Sequence, residues 1–525
     1  MTGFPSVRLG ARTLRWINAG AGPVHDHRRM ASKWRTRHAA EGRGAVHGRA
    51  GRRRAARWVA AAAAACVLGG CASPARDDPA ARPVAAALFP QQAWPRGADA
   101  LQLKWQDYFV DARLRELIAL ALDNNRDLRM ALHRTAQARA MFAAQRAERF
   151  PVLGVSAGVG RSRVPGDLSP TGAPSVGSRF DVELGVASWE IDLWGRLQNL
   201  QDAAFGNFLA TQAGRRAAAA SLVTQVAHGY LALRETDERL ALARRFTASR
   251  AESLRIFARR MEEGATSRLN VTQVETLLMQ ARALGVELEQ SRAAQTHALT
   301  LLIGAPVDLA PAADLLAEHD VVGDADPGLS SDMLLGRPDI AAAEYQLQAE
   351  NANVGAARAA FFPRLVLTAS AGTASAELQG LLAAGSNAWV FSPLVSLPLF
   401  DGGRRRASLG LAEARRQQAL AYYEKTVQGA FRDVADALSA RRWSAEQAAI
   451  AQTALAVQTE RARLAQLRYD HGAAAYLEVL DAQRDLLAAG QQVVQARRLA
   501  LAGRVGVYAA LGGGALATAL PSEAP

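Results

Sequence analysis

The sequence predicts a mainly α-helical protein that also supplies strands to a transmembrane β-barrel, built from one unit duplicated in tandem. Three observations carry this reading. The stretch Ala131 to Pro151, ending Arg146-Ala147 and Phe150-Pro151, recurs 212 residues later as Ala343 to Pro363, ending Arg358-Ala359 and Phe362-Pro363. Four short segments alternate apolar with small or polar residues at period two, while the stretches between them are long, rich in Ala, Leu, Gln, Arg and Glu, and poor in breakers. After Cys71 no run of 18 or more apolar residues occurs, so a membrane helix is excluded and any crossing must be made by strands.

Downstream the echo continues at an offset of 208: Val226-Ala227 matches Val434-Ala435, Arg260 and Gly264 match Arg468 and Gly472, and Gly304 matches Gly512. Two copies mean a duplication rather than a solenoid. The chain divides into a leader (1–70), a first repeat with its N-terminal segment (71–304), a linker (305–336), a second repeat (337–512) and a tail (513–525).

The leader comes first. Arg52, Arg53, Arg54 and Arg57 precede the apolar run Trp58 to Leu68, which is too short to span a bilayer and reads as a secretory signal. It ends Leu68-Gly69-Gly70-Cys71, which resembles the lipobox of bacterial lipoproteins and implies cleavage before Cys71 and acylation of that residue. A signal cleaved elsewhere, with an incidental cysteine, is the plain alternative. Ala72 follows rather than Asp, which favours an outer-membrane destination. Residues 1–70 hold 14 Lys+Arg against 2 Asp+Glu, a net +12 of the chain's +13, so the basic balance is no sign of nucleic-acid binding. The first 50 or so residues fit no structural pattern, and a translation start near Val46 would explain them. With Cys66 in the leader and Cys71 acylated, the remaining 455 residues hold no disulfide pair and no thiolate metal cluster. No cofactor is expected beyond the covalent lipid on Cys71.

The strands follow. Near 152–162, Leu153, Val155, Ala157 and Val159 alternate with Gly154, Ser156, Gly158 and Gly160; near 180–192, Phe180, Val182, Leu184 and Val186 alternate with Asp181, Glu183 and Gly185. The second copy offers Leu365, Leu367, Ala369 and Ala371 near 364–373, then Trp389, Phe391, Val395 and Leu397 near 389–399. About ten residues with one apolar face is the pattern of barrel strands, and Phe150, Phe180, Trp189, Trp194, Phe361, Phe362, Trp389 and Phe400 cluster at the ends, where aromatic girdles belong. Half-buried strands of a soluble sheet remain the bland reading. Pro393 and Pro398 fit imperfectly, since proline belongs at strand edges or bulges. Four strands cannot close a barrel; eight would be filled by side chains, so three copies with twelve are the smallest symmetric solution that leaves an opening.

Seven helices are expected: Gly195 to Arg234, Asp237 to Glu263, Ser267 to Ile303, Asp339 to Phe361, Arg404 to Ala440, Ala445 to Tyr469 and Tyr476 to Ala510. The stretch from Ser267 to Ile303 alone would extend roughly 55 Å. Plentiful Ala lets such helices approach closely in a coiled-coil wall. Breaks fall at Gly264, Gly304-Ala305-Pro306, Gly336-Arg337-Pro338, Asp401-Gly402-Gly403 and Gly472.

Trp105-Gln106-Asp107-Tyr108-Phe109, Asp192-Leu193-Trp194-Gly195-Arg196, Arg337-Pro338-Asp339-Ile340 running to Phe361-Phe362-Pro363, and Pro398-Leu399-Phe400-Asp401-Gly402-Gly403-Arg404 resemble the outer-membrane efflux factor family, TolC-like, in its lipoprotein branch of NodT and OprM type. The match covers nearly the whole chain after the leader. It implies a homotrimer with a twelve-stranded barrel in the outer membrane, a periplasmic α-helical barrel below it, and a mixed equatorial region around the tube. It also implies a periplasmic tip at the turns Gly264 to Val271 and Gly472 to Val479, where a membrane-fusion adaptor docks its helical hairpins. By position, Leu477, Glu478 and Asp481 match the family's constricting residues, with Arg484 able to pair with Asp481 along the helix. A solvated helix face without a gating role is the plainer reading of these four. Asn270 stands where the first repeat often carries Asp, which puts an acidic ring there in doubt.

Catalysis finds little support. Gly154-Val155-Ser156-Ala157-Gly158 matches G-x-S-x-G literally, but that motif needs a sharp strand-to-helix turn and Ser156 lies inside an alternating strand. His133, His228, His297, His319 and His471 have no metal-ligand spacing. The resemblance therefore implies a passive exit duct for small molecules, drugs and toxic compounds, driven by an inner-membrane resistance-nodulation-division pump through the adaptor, with no nucleic acid involved. A type I protein-secretion duct and a metal-ion efflux subunit are alternatives within transport; a periplasmic coiled-coil tether without a pore is the alternative outside it.

Overall fold

The computed structural model describes residues 104–311, 321–322 and 336–514. The leader, Cys71 and the segment up to residue 103, most of the linker and all but the first residues of the tail lie outside them. Among the described residues the chain runs α1 (Trp105–Tyr108), α2 (Ala112–Asn124), α3 (Arg126–Ala147), β1 (Leu153–Val164), β2 (Ser175–Ile191), α4 (Arg196–Glu262), α5 (Arg268–Ile303), α6 (Pro338–Ala359), β3 (Arg364–Ser375), β4 (Asn387–Ser396), α7 (Arg404–Asp470) and α8 (Tyr476–Ala510). The duplication is visible in the bounds themselves. α3 and α6 are each 22 residues long and 212 apart, while α4 and α7 are each 67 residues long and 208 apart.

Two of the expected breaks do not occur. The sequence predicts one helix end between Arg234 and Asp237 and another between Ala440 and Ala445, yet α4 and α7 each continue unbroken through those positions. Neither gap contains Gly or Pro, and in α4 the polar run is a buried ionic clasp rather than a loop. Glu235 pairs with Arg239 at 3.1 Å and with Arg498 at 2.7 Å, Glu238 pairs with Arg497 at 3.2 Å, and Asp237 pairs with Arg292 at 2.6 Å. These contacts tie α4 to α5 and α8 halfway along the wall. A 67-residue helix is on the order of 100 Å long, more than three times a bilayer's hydrocarbon thickness.

The helix ends carry the expected chemistry. Gly195 and Gly403, equivalent in the two repeats, precede α4 and α7 at φ of +72° and +88°, a conformation that costs glycine little. Ser267 caps α5 by accepting the Asn270 N–H. Gly304 ends α5 at φ +76°, and a Cβ there would lie 2.6 Å from the Asn124 carbonyl oxygen, so position 304 has no room for a side chain.

Four antiparallel strands form one sheet in the order β1-β2-β3-β4, leaving β1 and β4 as its outer strands. Strand β2 begins five residues earlier than the alternation starting at Phe180 indicates, and a bulge between Val186 and Trp189 shifts its register. Pro393 falls within β4, opposite Leu367, on one of the sheet's two outer strands. Around the helices, α3 and α6 pack on α4, α5 packs on α4, α8 on α4 and α7, and α6 on α7. The wall of one chain therefore runs from α3 and α5 at one side to α7 at the other.

The largest core lies midway along this wall. Trp105, Tyr108 and Phe109 from the N-terminal segment, Leu309, Val321 and Val322 from the linker, and Leu501, Val505 and Tyr508 near the C-terminal end pack in one cluster with Leu222 to Leu233 of α4. The Tyr108 and Tyr508 rings stack at 4.4 Å, and Phe109 bridges to Val322. The Tyr230 phenol, buried and donating to Asp111 at 2.8 Å, is pushed up to about 12, so it stays neutral and works as a hydrogen-bond donor.

Two pairs of substitutions test this packing. Gly372→Ala would set a Cβ 2.1 Å from the Val182 carbonyl oxygen, whereas Gly154→Ala meets open space; the first should destabilise the sheet by about 1–3 kcal/mol and reduce the heat-modifiable folded band, and the second should leave it unchanged. Asp237→Ala leaves the mostly buried Arg292 without its carboxylate, with only the Leu309 carbonyl to donate to, and should cost about 3 kcal/mol in thermal unfolding. Arg244→Ala, which removes an exposed pair with Glu289, should cost below about 1 kcal/mol.

Candidate functional site

Strand register assigns each side chain to a face. On one face the pairs Leu153/Val186, Val155/Leu184, Ala157/Val182 and Val159/Phe180 continue through Trp189/Leu367, Ile191/Leu365, Ala369/Phe391, Ala371/Trp389 and Leu365/Val395. Val155, Val159, Leu184, Trp389, Phe391 and Val395 of this face are all exposed in the single chain. A contiguous apolar surface of this size on a strand face requires a covering. On β2 the apolar run from Phe180 to Ile191 covers 12 residues, roughly 40 Å of strand, or about 30 Å in height at a tilt of about 40°. That is the thickness of a bilayer's hydrocarbon core. Past Val159 the same face turns polar at Arg161/Ser178, which marks the upper limit of the band.

The opposite face is small or polar on β1 and β2, and on β3 and β4 it mixes Thr368, Ser370 and Ser392 with the apolar Val366, Val390 and Leu394. It carries Gly154/Gly185, Ser156/Glu183, Gly158/Asp181, Gly160/Arg179, Glu183/Gly372, Gly185/Ser370 and Thr368/Ser392. Glu183 accepts from Ser370 Oγ at 2.6 Å and from Ser156 Oγ at 3.5 Å, and Arg179 pairs with Asp181 at 3.2 Å. Ser156 thus lies mid-strand beside a carboxylate, not at the strand-to-helix turn a nucleophile elbow needs. A face of small residues with a few carboxylates can line a water-filled passage and offers no reacting group.

At the sheet's lower end, Trp194 stacks on Phe362 at 4.9 Å and donates its indole N–H to the Pro363 carbonyl at 2.7 Å. Glu190 receives Arg196 at 2.8 Å and also pairs with Arg364. This junction fixes the angle at which β2 passes into α4 and α6 passes into β3.

The two turns at the far end of the long helices hold the residues singled out from sequence. Gly264 and Gly472 adopt φ of +72° and +69°. The Ala265 and Ala473 amides reach back to the Arg260 and Arg468 carbonyls at 2.7 and 2.8 Å, the same closing bond in both repeats. Asn270 donates to Thr266 Oγ1 at 3.0 Å. Leu477 is half exposed, Glu478 pairs with Arg468 at 2.6 Å, and Asp481 pairs with Arg484 at 3.3 Å. Arg484 also pairs with Asp485 at 3.1 Å, and Asp485 with Arg461 at 2.6 Å. The hydrogen bond from Arg461, seconded by Arg484, holds the Asp485 carboxyl below the usual carboxylate range.

Several tip contacts have no signature in the sequence. Arg260 donates to the Tyr469 hydroxyl at 2.6 Å, linking the two turns, and the Phe257 and Tyr476 rings pack at 4.2 Å. The equivalence of Arg260 and Arg468 was visible in sequence, but not their different partners. Arg250 is buried, and burial lowers its pKa.

Among the described residues no group of His, Cys, Asp and Glu could hold a metal ion, and no helix is long and apolar enough to cross a membrane. Comparison with known proteins adds the lineage. The family model described as outer membrane efflux protein matches residues 117–305 and 329–513, one segment per repeat. The chain is 42% identical over 466 residues to the solvent efflux pump outer membrane protein SrpC of Pseudomonas putida, covering 85% of this chain and 96% of that protein. It is 41% identical over 472 residues to outer membrane protein OprJ of Pseudomonas aeruginosa, covering 88% and 97%. A crystal structure of a membrane protein from Pseudomonas aeruginosa superposes with a TM-score of 0.76 at 39% identity, covering 80% of this chain and 96% of that one. With both repeats matched and such relatives aligned over nearly their whole length, the chain belongs to the outer membrane efflux protein family.

Proposed function

We propose that three copies of this chain close a twelve-stranded barrel through the outer membrane and prolong it as a helical tube into the periplasm. The tube is a passive exit duct for small organic molecules, driven by an inner-membrane pump of the resistance-nodulation-division type through a periplasmic adaptor. The observation that carries this reading is the sheet. It has an apolar band of bilayer height on one face, a mostly small or polar face opposite, and two outer strands whose free edges require partners in lipid. Twelve strands leave an aqueous passage where eight would be filled. The relatives are efflux-pump components named for solvents, toluene and antibiotics, which supports small organic cargo over secreted protein or metal ions. The chain supplies no chemistry of its own, only a walled path. The lipid on Cys71 anchors each copy to the outer membrane, and the turns at Gly264, Asn270 and Gly472 receive the adaptor.

Within this reading Leu477, Glu478, Asp481 and Arg484 narrow the tube at its periplasmic end. Purified acylated protein should run as a trimer and conduct ions in a planar bilayer; a monomer without conductance refutes the duct. Asp481→Ala combined with Arg484→Ala should raise closed-state conductance and sensitise cells to antibiotics. Unchanged conductance and unchanged leakage would remove these residues from the gate.

The Asp485 ion pairs set a pH limit. Because the folded pKa lies below the unfolded value near 3.8, the pairing is fully present above about pH 4 and is lost as pH falls through the depressed value. Conductance of the closed duct should therefore be flat from about pH 5 to 8 and rise only in stronger acid; a rise near pH 6 would assign the latch to other groups.

A further inference from the structure

The two residues that follow β4 into α7 have nothing to sit on within one chain. Leu399 and Phe400 are each 91% exposed, an extreme value for adjacent large apolar side chains. At the opposite end of the same chain's wall, the passage from α3 to β1 carries a cleft of about 460 Å³ lined by Phe142, Arg146, Arg149, Phe150 and Gln201, with Phe150 60% exposed. Its floor is ordered: Phe142 packs on Phe205 at 5.2 Å, Arg149 donates to Gln201 at 2.9 Å, and Trp189 donates to the Arg149 carbonyl at 3.1 Å.

The duplication relates these two sites. Within the chain, the exit from β2 into α4 packs on the entry from α6 into β3, and its centre is Trp194 stacked on Phe362. Applying the repeat offsets turns Phe362-Pro363 into Phe150-Pro151 and Gly195-Arg196 into Gly403-Arg404. The equivalent junction therefore joins the exit from β4 into α7 to the entry from α3 into β1, and in a closed ring that entry belongs to the next copy. The second repeat has Gly402 where Trp194 would be, so the ring must come from elsewhere. Gly402 and Gly403 both take positive φ, +65° and +88°, and redirect the chain just after Phe400.

The helices repeat the relation. Gly206 of α4 lies so close to α6 that a Cβ would be 3.1 Å from Ala349 Cβ, and one on Gly355 of α6 would be 2.6 Å from Asn199 of α4. The positions equivalent to Asn199, Gly206 and Gly355 are Ala407, Ala414 and Ala143, all small and all exposed in the single chain. Close helix contact is thus prepared on α7 and α3 without a partner inside the chain.

We propose that the Leu399–Phe400 knob of one copy seats on the Phe142–Phe150 cleft of the next, copying between subunits the Trp194–Phe362 stack that each subunit makes within itself. The inference rests on the trimeric reading above and specifies where its subunits lock. The Phe400 side chain carries no N–H, so it can pack on Phe142 and Phe150 while Pro151 receives no counterpart of the indole bond that Pro363 accepts. The lock sits at the base of the barrel, where β4 must find β1 of its neighbour, and it fixes the register of that pairing before the strands zip upward.

The test is paired cysteine substitution in the full-length lipoprotein, assayed in outer-membrane preparations. Phe150→Cys with Phe400→Cys, treated with an oxidant or a short bis-thiosulfonate, should give a reducible ladder of dimer and trimer that neither single variant gives. A bimane on Phe400→Cys should escape quenching by spin-labelled phospholipid. Strong quenching would show that the knob faces lipid and would overturn the seat, as would a trimeric, conducting double variant that yields no ladder. A wild-type chain that is not trimeric would instead sink the duct itself, so the two failures are distinguishable. Phe400→Ala, with the intrachain stack intact, should lower the temperature at which the trimer dissociates in dodecyl sulfate, while Phe400→Trp should restore it.

Discussion

The unpaired backbone along the outer edges of β1 and β4 is the constraint on which the rest of the structure depends. Inside hydrocarbon no water satisfies an N–H or C=O, and each one left open costs several kcal/mol. The chain leaves two such edges, along strands of 12 and 10 residues, and has no fifth strand among its described residues to cover either. Closure must come from other copies. Because β4 leads directly into α7 and β1 emerges directly from α3, pairing those strands also sets the helices side by side. The helical tube is then a consequence of the barrel, not a separate assembly problem.

Duplication makes this closure simple in principle and asymmetric in detail. Each junction of the ring is made alternately inside a chain and between chains, so one set of contacts is solved twice. The copies then diverged according to which side they face. In α4, flanked by α5, α6 and α8, the stretch from Glu235 to Arg239 is a buried ionic clasp; the equivalent stretch of α7 reads Trp443-Ser444-Ala445-Glu446-Gln447. There Trp443 is half exposed, with Arg442 over its ring at 4.7 Å. α7 lies at the edge of the chain's wall, so what it meets in the assembly is not what α4 meets.

Much of the fold was legible because period and punctuation are local. Alternation exposed all four strands, and Gly195, Gly264, Gly304, Gly403 and Gly472 marked helix ends through conformations that few other residues adopt. What failed was non-local. The polar run at Glu235 to Glu238 reads as a gap until Arg292, Arg497 and Arg498, more than 50 residues away, are known to neutralise it. The bulge after Val186 is likewise invisible, since an added residue in a strand leaves no compositional trace. At the tip, residue positions could be read by resemblance, but their partners could not. Arg260 and Arg468 are equivalent in sequence and serve different groups, Tyr469 and Glu478.

That divergence bears on how such an end can be both closed and openable. The tip contacts are exposed ion pairs, each worth about 0.2–1 kcal/mol, along Arg468–Glu478, Arg484–Asp481, Arg484–Asp485 and Arg461–Asp485. Of these, only Arg468–Glu478 and Arg461–Asp485 join α7 to α8, and two such pairs in three copies total about 1–6 kcal/mol, at most comparable to the roughly 5.5 kcal/mol that moves a two-state equilibrium from 1:99 to 99:1. A buried apolar latch of the same extent would be harder to release. On the proposed reading, a docking partner that competes for a few of these arginines or carboxylates would shift the end toward open, and the pairs would re-form when it leaves. Weak, numerous and solvated links are therefore what a gate driven by protein contact requires, whereas the buried clasp at Asp237 and Arg292, halfway up the wall, is suited to staying shut.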